Sequence, residues 1–142
     1  VKKNKIPSEK RIYVVVAETV STPEGEVVQV PGRIAAQAVH VASRMKMHQI
    51  IGLSEKHQLA RADEAITTII LGARDSNELR HVQRLLEKAE IEHYTFEDIN
   101  PAVYGEDCGA PCEVTTALAT VPVMPEEVVD ILDYLPLWAP RS

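Results

Sequence analysis

Aromatic residues are scarce in this 142-residue sequence, which holds one Trp, one Phe and four Tyr. So few rings leave no evident aromatic platform for stacking the successive bases of a single strand. Cysteine is scarcer still: Cys108 and Cys112 are the only two. Zinc takes about four ligands and no second pair exists, so a structural zinc site is not expected. Reduced loop thiols, a small disulfide and half a metal site stay open for them. No apolar run approaches the roughly 20 residues that a membrane helix needs, and no signal-peptide pattern opens the chain. No membrane association is expected, and the expected compartment is the cytoplasm. There is neither a phosphate-cradling glycine loop nor a nucleophile elbow. Positive charge does not dominate either, because 15 Lys and Arg face 21 Asp and Glu for a net charge of −6. The chain as a whole does not attract polyanions, so any contact with nucleic acid must be local.

What is present is enough apolar content, 45%, for one core in a chain of this length. We expect a flexible basic arm over residues 1–11, carrying Lys2, Lys3, Lys5, Lys10 and Arg11, followed by one α/β domain over residues 12–142. Ile12 to Ala17 is a short β-branched run of the kind that forms a strand covered on both faces. An excursion loop follows, with a brief strand or edge at Val27 to Val30 before Pro31-Gly32. Helical periodicity runs from Arg33 to about His48, and a short helix can fall within Gly52 to Asp63. Ala65 to Leu71 is a second strand, ended by Gly72. Asp75 and Glu78 form a capping box ahead of an amphipathic helix with Leu79, Val82, Leu85, Leu86 and Ala89 on one stripe.

Ile91 to Phe96 is a third strand, leading into a long loop from Asp98 to Cys112. Val114 to Val121 is a fourth strand, and Pro125-Glu126-Glu127 opens a last helix with Val128, Val129, Leu132 and Leu135 facing inward. Alternation of strands and helices predicts a three-layer α/β/α fold with a mixed, mostly parallel four-stranded sheet. Ligands of such sheets bind at the C-terminal ends of the strands.

Plotted at about 100° per residue, Arg33, Gln37, His40 and Arg44 share one narrow stripe of the first helix. The rest of that helix is mostly Ala, Val, Ile or Met and suits burial. A cation in the first turn opposes the helix dipole by roughly 0.3–1 kcal/mol, and no carboxylate follows it there. Arg33 beside free backbone N–H groups is a ready site for a phosphate or carboxylate. Pairing with Glu18, Glu24 or Glu26 is the alternative. Asp98, where the third strand meets the long loop, can orient or deprotonate water as a general base; a loop-capping role above Asn100-Pro101 competes. Thr115 and Thr116 offer hydroxyls, although threonine in a strand is commonly just a β-former. His48, His57, His81 and His93 show no ligand spacing.

Gly32-Arg33-Ile34-Ala35-Ala36-Gln37-Ala38-Val39-His40-Val41 resembles the opening signature of type 2 peptidyl-tRNA hydrolases, Gly-Lys-(Val/Ile)-Ala-Ala-Gln-x-x-His-Ala. The order of elements over residues 12 to 138 is loosely similar too. The resemblance implies cleavage of the ester joining a peptide to the 3′ ribose of tRNA, by a homodimer without metal or other cofactor. By resemblance Arg33 stands at the family's lysine, Asp98 at its catalytic aspartate and Thr116, or else Thr115, at the threonine of its last strand. Gly32, Gln37, His40 and Arg44 would then bind substrate. Two departures mark this sequence. Arginine is larger than lysine and serves as a charge, not a proton shuttle. The family's Asp-Ala-Gly-x-Thr segment reads Asp98-Ile99-Asn100-Pro101-Ala102 here, without its threonine. Hydrolysis of peptidyl-tRNA is therefore the expected activity, and a tRNA-binding or dimeric interaction module without catalysis is the alternative.

Overall fold

The strand that begins at Ile12 does not stop where its apolar run ends, at Ala17. In the computed structural model, which describes residues 10–22, 25–62, 65–99 and 113–139, it forms β1 (Ile12–Thr22) and turns back as β2 (Gly25–Val28). Then follow α1 (Pro31–Ile50), α2 (Glu55–Ala62), β3 (Thr68–Asp75), α3 (Ser76–Lys88), β4 (His93–Ile99), β5 (Glu113–Thr120) and α4 (Pro125–Leu132). The Asp75 side chain accepts from the Glu78 N–H at 2.8 Å, but the Glu78 carboxylate accepts from the Arg74 N–H at 2.8 Å, so α3 starts with one half of the expected capping box. Cys108, Cys112 and most of the expected long loop lie outside the described residues, as do residues 1–9. Arg11, assigned from the sequence to the arm, exchanges backbone hydrogen bonds with Val123 at 2.8 and 2.9 Å.

The sheet corrects the expectation of a mostly parallel, four-stranded arrangement. Five strands are described, and only β1 and β3 pair in parallel. The pairings of β1 with β2, β1 with β5 and β4 with β5 are antiparallel. The physical reason is that strand direction and strand adjacency are separate properties. Helical crossovers make β1, β3 and β4 run the same way, as the alternation implied. β5 then inserts antiparallel between β1 and β4, and β2 pairs antiparallel with β1.

Alternation along β1 distributes its side chains to two helical layers. Val14 and Val16, with Ala117 and Ala119 of β5, pack against Ile34, Ala38, Val41 and Met45 of α1. Val15, Ala17 and Leu118 pack on the other face with Leu79, Val82 and Leu86 of α3 and Val128, Ile131 and Leu132 of α4. Val129, expected to face inward, is half exposed on α4. Gly72 does not end its strand, which continues to Asp75. A Cβ there would lie 3.3 Å from the Glu18 carboxyl carbon, so the glycine leaves room for that side chain. After α4 the chain lays a short segment on β3, with the Trp138 N–H donating to the Ile70 carbonyl at 2.9 Å. Among the described residues no helix is long and apolar enough to cross a membrane.

Candidate functional site

The start of α1 has no side-chain cap, and the Arg33 and Ile34 N–H groups donate to the Val30 carbonyl at 3.0 and 3.2 Å, so the backbone donors expected to be free beside Arg33 are engaged within the turn. Val30 caps it without a side-chain hydrogen bond, Pro31 opens it, and its first turn holds no acid. Arg33 sits in that turn against the helix dipole. Its compensation comes from β4, where its Nη2 lies 2.5 Å from Asp98 Oδ2. Asp98, not Glu18 or Glu26, is thus the described ion-pair partner, and it stands near the end of β4 instead of in a loop. The two side chains are 29% and 18% exposed, so the pair is reachable from solvent without being freely hydrated.

The rest of the α1 stripe follows β4 in reverse. Gln37 reaches Asp98 Oδ2 at 3.4 Å, His40 stacks on Phe96, Arg44 lies over Phe96, and His48 stacks on Tyr94. Helix residues three and four apart therefore meet alternate residues of an antiparallel-running strand, the geometry that two regular elements impose when they pack. The structure brings Arg33, Gln37 and Asp98 together. His40 and Arg44 lie along the same stripe but meet Phe96, not Asp98. Gly32 stands in the first turn, where a Cβ would meet nothing within 4 Å.

Burial divides the stripe differently from expectation. Gln37 is 3% exposed, whereas Ala35, Ala36, Val39 and Met47, suited to burial by composition, are exposed. Gln37 is buried because it has partners: its Nε2 also donates to Gln29 Oε1 at 2.8 Å. Gln29 Nε2 in turn donates to the Ala17 carbonyl at 2.5 Å. This relay ties β1 to Asp98, and sequence reasoning missed Gln29. Its signal was a lone amide in the apolar run Val27 to Val30. Replacing Gln29 by Leu strands the Ala17 carbonyl and a Gln37 amide proton, so we expect a loss of about 1–3 kcal/mol, read by denaturant unfolding. An unchanged midpoint would show that the relay does not hold the site together.

Thr116 is fully buried on β5. The β4–β5 register runs from Phe96↔Ala117 to Glu97↔Thr115, so Thr116 is the extra residue of a β-bulge. Bulges next to a site re-aim side chains. Its hydroxyl takes no part in the Arg33–Asp98–Gln37 group. Thr115, the alternative, is half-buried and opposite Glu97.

Among the described residues, the buried side-chain polar atoms without a hydrogen-bond partner are Arg33 Nε, Gln37 Oε1 and Thr116 Oγ1. Each such atom costs about 1–3 kcal/mol of desolvation, and native proteins hold few of them. All three belong to residues singled out from the sequence. Arg33 Nε and Gln37 Oε1 place one unused donor and one unused acceptor beside the ion pair, while the Thr116 hydroxyl stands apart on β5. Two cavities border the stripe: one of about 320 Å³ touches Gln29, Pro31 and Ile34, and one of about 410 Å³ lies along His40, Arg44 and His48. Arg33 and Asp98 line neither.

The fold and this pair define an α/β protein with a guanidinium–carboxylate site where its first long helix meets an edge strand. The family model of Peptidyl-tRNA hydrolase PTH2 matches residues 11–138, and the chain belongs to that family. Among solved structures, a protein of unknown function from Agrobacterium tumefaciens strain C58 is similar at a TM-score of 0.56 and 11% identity, covering 92% of this chain and 98% of that one. That likeness shows the fold alone. No curated protein matches the chain.

Proposed function

We propose that this chain hydrolyses the ester of peptidyl-tRNA, releasing the peptide and freeing the tRNA for recharging. The observation that carries the reading is the coincidence of the unpaired buried polar atoms with the residues of the family-like segment and its partner strand. Asp98 orients the attacking water and accepts its proton as general base. Arg33 supplies positive charge to the oxyanion that develops on the ester carbonyl oxygen as water adds to its carbon. Gln37 holds the Asp98 carboxylate through Nε2, leaving Oε1 to accept from water or substrate. Thr116 donates or accepts through its hydroxyl. Gly32 leaves open space in front of the helix start, where the substrate backbone approaches, and His40 and Arg44 extend the binding surface along α1. Cytoplasmic location and homodimerisation are carried over from the family resemblance, and sedimentation at micromolar protein reads the second directly.

The test is release of peptide from peptidyl-tRNA by the purified chain. Absence of turnover, together with salt-sensitive tRNA binding, would transfer the site to a binding module. Thr116→Val gives a second reading of the site, because valine is nearly isosteric and removes only the hydroxyl. We expect the variant to be as stable as the parent or more so, since an unpaired buried hydroxyl is lost, and to hydrolyse at least about tenfold more slowly. Destabilisation with full activity would make Thr116 a structural residue.

A further inference from the structure

The groove beyond the ion pair is built from a helix that departs from the charge of the whole chain. Over Pro31–Ile50, α1 holds Arg33, Arg44, Lys46, His40 and His48 and no acidic residue, while the chain carries −6. Its stripe places two imidazoles on two aromatic rings of β4: His40 on Phe96 with centroids 5.0 Å apart and 18° between planes, and His48 on Tyr94 at 4.7 Å and 8°. Both histidines are exposed, so one face of each ring is fixed by the stack beneath it. The Tyr94 hydroxyl donates to the Glu92 carboxylate, and its pKa is raised by that bond first and by burial second. Between the stacks lies the cavity of about 410 Å³, lined by His40, Ser43, Arg44, Met47, His48, Ile51 and Phe96. It falls within the usual size for small-ligand sites, about 300–1,000 Å³.

We infer that this groove takes unpaired nucleobases of the tRNA 3′ end, stacked against the His40–Phe96 and His48–Tyr94 pairs. The inference rests on the proposed tRNA substrate and names where its single-stranded end lies. The spacing fits. His40 stands seven residues beyond Arg33 and His48 eight further, about 10 Å and 12 Å along a helix rising about 1.5 Å per residue. A strand whose terminal ester is at Arg33 and Asp98 therefore passes the two stacks in turn. Stacking is tolerant of sequence because every base has a π face, and Arg44 is the cation that lines the groove. Scarce aromatics did not preclude ring stacks, because histidine supplies the second ring. An extended peptide fits less well, since pairing with a sheet edge needs free backbone groups. Here Arg44 Nη1 already donates to the Thr95 carbonyl at 2.7 Å and lies 3.4 Å from Glu97 Oε1.

Binding of a labelled four-nucleotide RNA with the tRNA 3′-terminal sequence, followed by fluorescence anisotropy, tests the groove without requiring turnover. Met47→Glu places a charge on an exposed groove residue. It is expected to weaken RNA binding about tenfold, because the new carboxylate repels the phosphate backbone within the groove. His48→Ala is expected to do the same without any added negative charge. Val129→Glu, on the opposite face of the sheet, makes the same charge change as Met47→Glu and is expected to bind as the parent does. Equal loss in both glutamate variants, or unchanged binding in Met47→Glu and His48→Ala, overturns the inference. Displacement of a short apolar peptide, but no RNA binding, assigns the groove to the acyl portion and overturns it too. Asp98→Asn separates this groove from the proposed activity: it is expected to bind the RNA normally while failing to hydrolyse peptidyl-tRNA. Should the parent bind RNA at the groove and hydrolyse nothing, the groove stands and the hydrolase reading falls.

Discussion

Asp98→Asn is expected to lower the release of peptide from peptidyl-tRNA by about 10²–10⁴, the range typical of a positioned general base, with little change in fold. Asparagine keeps the shape of the side chain and one acceptor oxygen. The Arg33 and Gln37 donors that now converge on Oδ2 therefore still find a partner. What disappears is the anionic base and the charge half of the ion pair. Because both side chains retain solvent contact, the loss of charge attraction costs on the order of 1 kcal/mol. Initial rates and a thermal melt on the same preparations distinguish the two consequences. A variant that keeps a third or more of the parental rate would remove Asp98 from the chemistry and leave it as the partner that makes Arg33 tolerable at a helix start.

The ion pair illustrates how far the amino-acid sequence alone locates the site. An arginine in an uncapped first turn demands an anion, and the chain offers several: three glutamates near β1 and Asp98. Local reasoning cannot choose among them because the choice depends on which strand lies under α1. Strand adjacency is also where the expected fold departs most from the observed one. Short β-branched runs and a helical period of about 3.6 locate nearly every strand and helix, but they carry no information on which strand enters between β1 and β4. The mostly parallel sheet follows from treating successive strands as neighbours. Gly72 and Val129 depart from expectation for a related reason: a glycine inside a strand can make room for a side chain such as Glu18, and a helix as short as α4 has a narrow buried face. Gln29 escapes sequence reasoning because its partners, Ala17 and Gln37, lie on two other elements. Its importance is a tertiary property.

Arg33 gives the second large effect, and the comparison of two variants separates its charge from its shape. Arg33→Met retains length and packing while deleting the charge and every donor, so the oxyanion loses its cation. We expect kcat to fall about 10²–10³, as for removal of one preorganised oxyanion donor. Arg33→Lys restores the residue of the family-like motif and the charge, though as a point donor instead of a planar fork. If Arg33 works through charge, the lysine variant keeps activity within about tenfold of the parent. Loss as deep as in Arg33→Met would mean that the planar fork itself is needed, held by Nη2 on Asp98. Stability provides an independent check. Methionine leaves the Asp98 carboxylate with Gln37 as its remaining named donor, whereas lysine leaves a cation to pair with it. Denaturant unfolding should therefore rank the lysine variant above the methionine variant, while removal of a first-turn cation returns some stability through the helix dipole, about 0.3–1 kcal/mol. A methionine variant both more stable and fully active would show that Arg33 is neither the oxyanion cation nor the support of Asp98, and the proposed chemistry would have to be abandoned.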